Sequence, residues 1–249
     1  MLEEGLLERF HIDEVYGMHN QPGLPVGSFG IRSGPMLAAG DRFMVTLKGL
    51  GGHAAYPHLC RDPIIVGSHM VVALQTITSR YTDPFDPVVL SVTYFSGGNS
   101  GALNVIPASV QVGGTIRTIN PETRIGVESR FRDIVQSTAK LFEAEAELDW
   151  RPGYPVTVND PVKTQAAITA ARSLVGEERI DTDWPRAMGS EDFSFMLEKR
   201  PGAMIWLGNG DSAALHHPAY DFNDDAIFHG ACYWTALVAQ QLKPEPVII

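Results

Sequence analysis

Residues 41–58 read DRFMVTLKGLGGHAAYPH, and this stretch decides the fold. Its first half alternates Phe43, Val45 and Leu47 with mostly polar neighbours, which is typical of a strand with one buried face. Its second half is dense in glycine and leads into residues 62–80, which read as a helix. The change from a period of two to a helical period predicts that a separate structural unit begins near residue 41.

The elements that follow this stretch complete the unit. We predict strands at 87–95, 109–118 and 146–150 and a helix over 121–144, which gives the order β-α-β-β-α-β from 41 to 150. This is the ferredoxin-like, or split βαβ, arrangement. Around it we predict a strand at 14–18, helices at 2–10, 161–174, 191–199 and 224–242, and a buried strand at 203–208. The fold class is therefore α/β, with one α/β domain (1–35 and 151–249) interrupted by an insert (36–150).

Composition narrows the classes of function. The chain has 249 residues, 44% of them apolar, and a formal net charge of −10. Without a basic block to contact phosphates, the sequence predicts no nucleic-acid partner. The apolar runs are too short for a membrane span and no signal peptide is visible at the start, so we expect a cytoplasmic protein. Cys60 and Cys232 then read as free thiols.

Two histidine segments could bind a metal ion. His19 follows the strand at 14–18, in a loop at the kind of strand end where α/β proteins bind ligands. His216 and His217 precede Pro218, which stiffens a loop rich in carboxylates, and rigidly held imidazoles suit zinc or manganese. Loop histidines more often cap turns. The two segments are about 200 residues apart, and no spacing rule shows that they form one site.

Other residues have both a functional and a structural interpretation. His53, on the glycine turn of the insert, could donate a hydrogen bond to negative charge developing on a substrate. Equally, this segment could be a turn whose glycines serve only the backbone geometry. Arg117, within the predicted strand GTIRT, could bind a substrate carboxylate, although an edge-strand arginine facing water is more common. Ser190 is expected to cap the helix at 191–199, with Glu191 and Asp192 suited to the positive end of its dipole.

Six segments together resemble one family. They are VYGMHNQPG, SGPMLAAGDRF, GLGGHAAYPH, NVIPASVQVGGTIRT, MGSEDFSF and LHHPAYDFND. Their residues and order are similar to those of the M20 metallopeptidase family, in the branch of hippurate hydrolase, N-acyl-amino-acid amidohydrolases and auxin-conjugate hydrolases. The resemblance covers essentially the whole chain.

The resemblance implies a two-metal hydrolase domain interrupted by a satellite domain that mediates dimerisation. By their matching positions, His19 and His216 would be metal ligands, and His53 would stabilise the oxyanion, often in the partner subunit's site. Asn104 and Arg117 would contact substrate. The implied cofactors are two divalent ions, zinc or manganese, and the implied substrate is a small N-acyl amino acid. Glu191 matches a position near the site, and its role stays open.

The sequence also departs from the family pattern. The family's Cys-x-His ligand motif is absent, and Cys60 and Cys232 lie elsewhere. Glu3-Glu4-Gly5 imitates the family's catalytic carboxylate pair, but it precedes a segment that matches the helix after that pair. Glu3 and Glu4 also fall between apolar helix positions and should face water. We therefore expect an N-terminally incomplete member, with doubtful metal binding and impaired or no activity alone.

Three functional hypotheses follow. The first is a metal-dependent amidohydrolase that cleaves the amide bond of N-acyl or aryl-acyl amino acids and forms a homodimer through its satellite domain. The second is a non-catalytic remnant or dimerisation module. The third is a related carboxypeptidase or deacetylase, which differs from the first only in its substrate.

Overall fold

The computed structural model describes residues 1–242 and has a mixed α/β architecture, which confirms the predicted fold class. The chain divides into two compact units. The first contains residues 1–36, 157–187 and the chain from 192 onward, and the second contains residues 37–156 and 188–191. Residues 243–249, part of the predicted first domain, lie outside the described residues.

The strands, in chain order, are β1 (Val15–Gln21), β2 (Phe29–Gly30), β3 (Gly34–Leu37), β4 (Ala39–Lys48), β5 (Gly52–His53), β6 (Val88–Gly97), β7 (Val105–Ile106), β8 (Ser109–Thr118), β9 (Glu145–Arg151), β10 (Thr157–Asn159), β11 (Ile180–Asp181) and β12 (Gly202–Gly208). The helices are α1 (Leu6–Arg9), α2 (Pro63–Thr76), α3 (Pro121–Leu141), α4 (Pro161–Val175), α5 (Ser194–Leu197) and α6 (Asp225–Gln241). A π-helical turn at Ile77–Tyr81 extends α2.

The first unit is built on a four-stranded sheet with the order β1-β12-β2-β11. β1 and β12 run parallel over seven residue pairs, from Val15 opposite Gly202 onward. Every residue of β12 is buried. This strand lies inside the sheet, parallel to β1 on one side and antiparallel to β2 on the other. α4 and α6 cover one face of the sheet, where Ile205 and Tyr233 are fully buried. The carboxyl ends of β1 and β12 therefore lie side by side.

The second unit has the element order β-α-β-β-α-β, formed by β4, α2, β6, β8, α3 and β9. Its main sheet is antiparallel with the order β6-β8-β4-β9. The apolar side chains of β4, such as Val45, pack with Met70 of α2 and Phe131 of α3 in one core cluster. The opposite face of the sheet carries the alternate, polar positions of β4, which include Arg42.

Three helices begin in the same way, and their local sequence explains why they form. Asp62, Asn120 and Asp160 each accept a backbone N–H bond through the side chain, and a proline follows each of them at the first helical position. The capping side chain accepts a hydrogen bond from a backbone N–H in the first turn that has no partner within the helix. Proline at the first helical position has no N–H that would need a partner.

Three sequence expectations were wrong in detail. His19 lies within β1 and not in a loop after it, because the pairing with β12 continues to Gln21. The predicted helix at 191–199 is reduced to α5, so Ser190 is not its cap. The predicted helix at 2–10 is reduced to α1, because Gly5 adopts φ 76° and breaks it. Glu3 and Glu4 face solvent, as expected.

Among residues 1–242, no helix is both long enough and apolar enough to cross a lipid bilayer.

Candidate functional site

His19 lies near the carboxyl end of β1 with its ring half-buried. Its Nδ1 atom is 2.7 Å from the carbonyl oxygen of Asn20. A carbonyl oxygen can only accept, so Nδ1 carries the proton and the lone pair of Nε2 is free. This is the arrangement in which a neutral imidazole binds a metal ion through Nε2 while a backbone group orients the ring. The Trp206 ring packs edge to face on His19, with 5.3 Å between the centroids.

The loop that carries His216 follows β12, and Asn209 anchors it there. Asn209 is buried, and its side-chain amide donates to the Ser212 hydroxyl (3.0 Å) and to the carbonyl oxygen of Asp221 (3.0 Å). Its side-chain oxygen accepts from the backbone N–H of Asn223 at 3.0 Å. One buried side chain thus joins both ends of the loop to the carboxyl end of β12.

A second contact joins this loop to β1. The side-chain amide of Asn20, next to His19, donates to the hydroxyl of Tyr220. The structure therefore brings the His19 strand and the His216 loop to the same edge of the sheet, a relationship that the sequence spacing does not reveal. In open α/β sheets, ligands bind at the carboxyl ends of the strands.

The two adjacent histidines of the loop have different settings. His217 accepts a bond from the backbone N–H of Ala219 through Nδ1 (3.0 Å), which is a local turn contact. His216 is exposed and adopts φ 64°, a left-handed conformation that costs a residue with a side chain roughly 1–2 kcal/mol. Strain of this kind often marks functional positions. His216 is accordingly the better candidate ligand.

The donor set supplied by the described residues is small. Neutral imidazoles suit zinc and manganese, so His19 and His216 fit such an ion chemically. Within residues 1–242, however, no group of three or more His, Cys, Asp or Glu side chains is placed to hold a metal ion. The described residues therefore offer two candidate histidine ligands and no closed metal site.

Tyr16 is not a candidate base for this site. Burial, with smaller contributions from Glu14 and Asp160, raises the pKa of its hydroxyl to about 12. Tyr233, on α6, also has a raised pKa because it is buried. Both phenols stay protonated at neutral pH and cannot accept a proton from a substrate.

In the second unit, His53 and Asn104 lie together. β5 pairs with β7, with His53 opposite Val105, and the backbone N–H of Ala54 donates to the carbonyl oxygen of Asn104 at 2.9 Å. The ring of His53 is exposed, and its Nδ1 accepts from the N–H of Ala55 at 3.1 Å, which leaves a proton on Nε2. His53 can therefore donate a hydrogen bond to a ligand.

Arg117 lies elsewhere in the same unit. It is near the end of β8, whereas β5 and β7 lie near the start of β8, where Gly49 N–H donates to the Ala108 carbonyl. At roughly 3.4 Å per residue, about 25 Å of strand separates the two places. The structure therefore brings His53 and Asn104 together but not Arg117 with them. Glu191 is half-buried in the segment 188–191 of this unit.

Sequence reasoning did not single out Asn209, Asn20 or Tyr220. The available signal was Asn209 between two glycines directly after a buried strand, a position where a polar side chain commonly organises a turn. Its partners lie 3, 12 and 14 residues further along the loop that follows β12, and no local sequence pattern identifies the two farther ones.

Replacing Asn209 with alanine should loosen the His216 loop. We expect the affinity for Zn²⁺ or Mn²⁺ to fall by roughly 10- to 100-fold, the usual cost of losing a group that orients a ligand. The free energy of unfolding should fall by about 1–3 kcal/mol because the Asn223 amide, the Ser212 hydroxyl and the Asp221 carbonyl lose a buried partner. Calorimetric metal titration and urea denaturation measure the two effects. Asn99→Ala, which removes a loop contact in the second unit, is the control. Equal metal affinity in both variants would show that Asn209 does not position His216.

The chain is similar to known proteins both in sequence and in fold. A model of "Peptidase family M20/M25/M40" matches residues 1–240. An N-acetylcysteine deacetylase of Bacillus subtilis is 35% identical over 98% of this chain and 62% of its own length. The hippurate hydrolase of Campylobacter jejuni is 33% identical over 98% of this chain and 63% of its own length.

A solved structure is also similar. It is a dinuclear metal-binding peptidase of family M20 from Bacillus subtilis, 32% identical, with a TM-score of 0.78 over 95% of this chain and 58% of that one. The chain thus spans about three fifths of the length of the proteins it resembles. Because the family model matches residues 1–240 and the fold agrees with a solved member, the chain belongs to peptidase family M20/M25/M40.

Proposed function

We propose that the protein is a metal-dependent amidohydrolase that cleaves the amide bond of N-acyl or aryl-acyl amino acids. The observation that carries this proposal is the meeting of the His19 strand and the His216 loop at one sheet edge, through the Asn20–Tyr220 contact. The deacetylase and the hippurate hydrolase that the chain resembles are named for the same class of reaction.

His19 and His216 would hold one of a pair of divalent ions, zinc or manganese, by similarity to the dinuclear metal-binding peptidase. A bound ion of this kind polarises a carbonyl group and lowers the pKa of water. Nε2 of His19 is free for this role because Nδ1 keeps its proton and donates a hydrogen bond to the Asn20 carbonyl. Since residues 1–242 group no third ligand with these histidines, we expect the 249-residue chain alone to have impaired or no activity.

The groups that contact substrate would come from the second unit. The Nε2–H group of His53 would donate a hydrogen bond to the oxyanion that forms when the amide carbonyl is attacked, the type of contact that stabilises acyl-transfer transition states. Asn104 would contact the substrate beside it, and the Arg117 guanidinium would bind the carboxylate of the amino acid.

The distance between the His53–Asn104 pair and Arg117 supports a homodimer. About 25 Å of β8 lies between the His53–Asn104 pair and Arg117, at roughly 3.4 Å per residue, and a small N-acyl amino acid cannot bridge that length. The two groups would therefore serve different copies of the active site. A dimer through the second unit would let His53 act in the partner's site and Arg117 in its own.

The edge strand β6 is the surface that we propose for this dimer. β6 lies at one end of the sheet order, and in residues 1–242 its outer edge has no strand partner. Val89, Tyr94 and Phe95 on this strand are exposed. An exposed apolar edge strand is a ready template for pairing with a second copy.

Tyr94→Lys should therefore shift the protein from dimer to monomer, because lysine on an edge strand opposes pairing. Sedimentation velocity over a concentration series measures the change, which we expect to be at least a 10-fold weaker dimer. Phe85→Lys is the matched control, since Phe85 is exposed in a loop of the same unit. A dimer unaffected by Tyr94→Lys would rule out β6 as the interface.

The reaction itself can be tested with a sensitive assay. The purified chain at high concentration is incubated with N-acetyl and N-benzoyl amino acids and Mn²⁺ or Zn²⁺, and the released amino acid is quantified. We expect slow release that depends on the metal and stops with EDTA. Release at the same rate without metal would contradict the proposal.

A second candidate is a non-catalytic dimerisation module. The observation that favours it is the absence, in the described part of the chain, of a third ligand beside His19 and His216. It predicts a dimer and no amide hydrolysis at any metal concentration. A related carboxypeptidase would instead release amino acids from peptides in the same assay.

A further inference from the structure

Three arginines line one cavity on the open face of the second unit's sheet. The cavity has a volume of about 250 Å³ and is bordered by Arg42, Arg117 and Arg151. The remaining lining residues are Gly40, Pro152, Gly153, Tyr154 and Ser190. In a chain with a formal net charge of −10, three guanidinium groups around one small cavity form a distinctly positive site.

The strand register explains how the arginines meet. Arg42 on β4 lies directly opposite Arg151 on β9, and Arg117 on β8 lies opposite Gly40, two residues before Arg42. Like charges directly opposite each other on neighbouring strands are destabilising unless something compensates them. Asp149 offsets the charge of Arg151, and an anion bound at Arg42 would offset the other charge of this pair.

The nearby carboxylates do not neutralise all three arginines. Asp41 points to the other face, where Arg124 binds both of its oxygens at 2.6 and 2.9 Å. Asp149 pairs with Arg151 at 2.5 Å. In the described part of the chain, no carboxylate lies within ion-pair distance of Arg42 or Arg117. Two guanidinium groups are thus available to a ligand.

Gly40 lets polar groups gather at one end of the cavity. A Cβ atom at Gly40 would lie 3.0 Å from the Ser190 hydroxyl oxygen and 3.3 Å from Nη1 of Arg117. Any larger residue would push these two groups away. The backbone of Gly40 therefore forms a floor over which one guanidinium and one hydroxyl lie close together, as binding of a carboxylate requires.

We propose that this cavity binds a dicarboxylate, with one carboxylate at Arg117 and Ser190 and the second at Arg42 and Arg151. Diagonal neighbours on adjacent strands are roughly 7–8 Å apart, so the two ends are too far apart for one small anion and suit two linked carboxylates. Taken with the proposed function, on which this step rests, the preferred substrates are N-acyl derivatives of acidic amino acids.

Binding can be tested without catalysis. Glutarate, butyrate and inorganic phosphate are titrated into the chain by calorimetry at low salt. We expect glutarate to bind at least 10-fold more tightly than butyrate or phosphate, and Arg42→Gln to abolish that preference. Arg132→Gln, an exposed arginine on α3, is the matched control and should keep it. Equal affinities for the three anions, or a preference that survives Arg42→Gln, would overturn the proposal.

A second measurement distinguishes the dicarboxylate site from the proposed amidohydrolase activity. Hydrolysis of N-acetylglutamate is compared with that of the uncharged analogue N-acetylglutamine, and we expect at least a 10-fold preference for the acid. Turnover without this preference would overturn the dicarboxylate site while leaving the amidohydrolase proposal intact. Tight glutarate binding without turnover of any amide would support the site and count against the amidohydrolase.

Discussion

His19→Ala is expected to weaken Zn²⁺ or Mn²⁺ binding by at least about 100-fold, more than the roughly 10- to 100-fold cost of losing a group that merely orients a ligand. The reason is that alanine removes the imidazole and with it the free Nε2 lone pair. In the parent, the hydrogen bond from Nδ1–H to the Asn20 carbonyl orients the ring. Isothermal titration calorimetry with each metal measures the change.

The control for this variant is His11→Ala, an exposed histidine of the same unit. It removes an imidazole that lies before β1, away from the carboxyl ends of β1 and β12, and should leave the metal affinity equal to that of the parent protein. If both variants bind metal as the parent does, His19 is not a ligand.

His216→Gly is expected to separate metal binding from stability. Metal affinity should again fall by at least about 100-fold because the imidazole is lost. Loss of a ligand should cost more than the roughly 10- to 100-fold lost with a group that only orients a ligand. The free energy of unfolding should stay the same or rise by up to about 1 kcal/mol, since glycine adopts a positive φ without the cost that a side chain brings. Urea denaturation without metal and calorimetric titration measure the two quantities.

The neighbouring residue provides the control. His217→Asn keeps a side-chain acceptor for the Ala219 N–H and should leave metal affinity unchanged. A His216→Gly variant that is destabilised by more than about 1 kcal/mol would indicate that His216 packs into the loop rather than serving a ligand.

The sequence allowed the starts of α2, α3 and α4 to be predicted, because their signals are local. Asp62, Asn120 and Asp160 each precede a proline, and the capping bond spans only two residues. The same local reasoning misplaced His19. The Asn-Gln-Pro segment favours a loop, but β12, nearly 190 residues away, extends the strand to Gln21.

The candidate site was only partly predictable. The histidines could be chosen as ligands by their chemistry and by resemblance to the family, but no spacing rule connects residues 19 and 216. Their connection depends on Asn20, Tyr220 and Asn209, whose contacts exist only in the folded chain. Likewise, the meeting of Arg42 with Arg151 follows from strand register and has no local signal.

The most direct test of the central claim is anomalous X-ray diffraction at the zinc edge from crystals of the chain soaked in Zn²⁺. We predict an anomalous peak about 2.0–2.1 Å from Nε2 of His19, the usual zinc–nitrogen distance, with an imidazole nitrogen of His216 at a similar distance. A peak that lies away from both histidines, or no peak at the carboxyl ends of β1 and β12, would contradict the account.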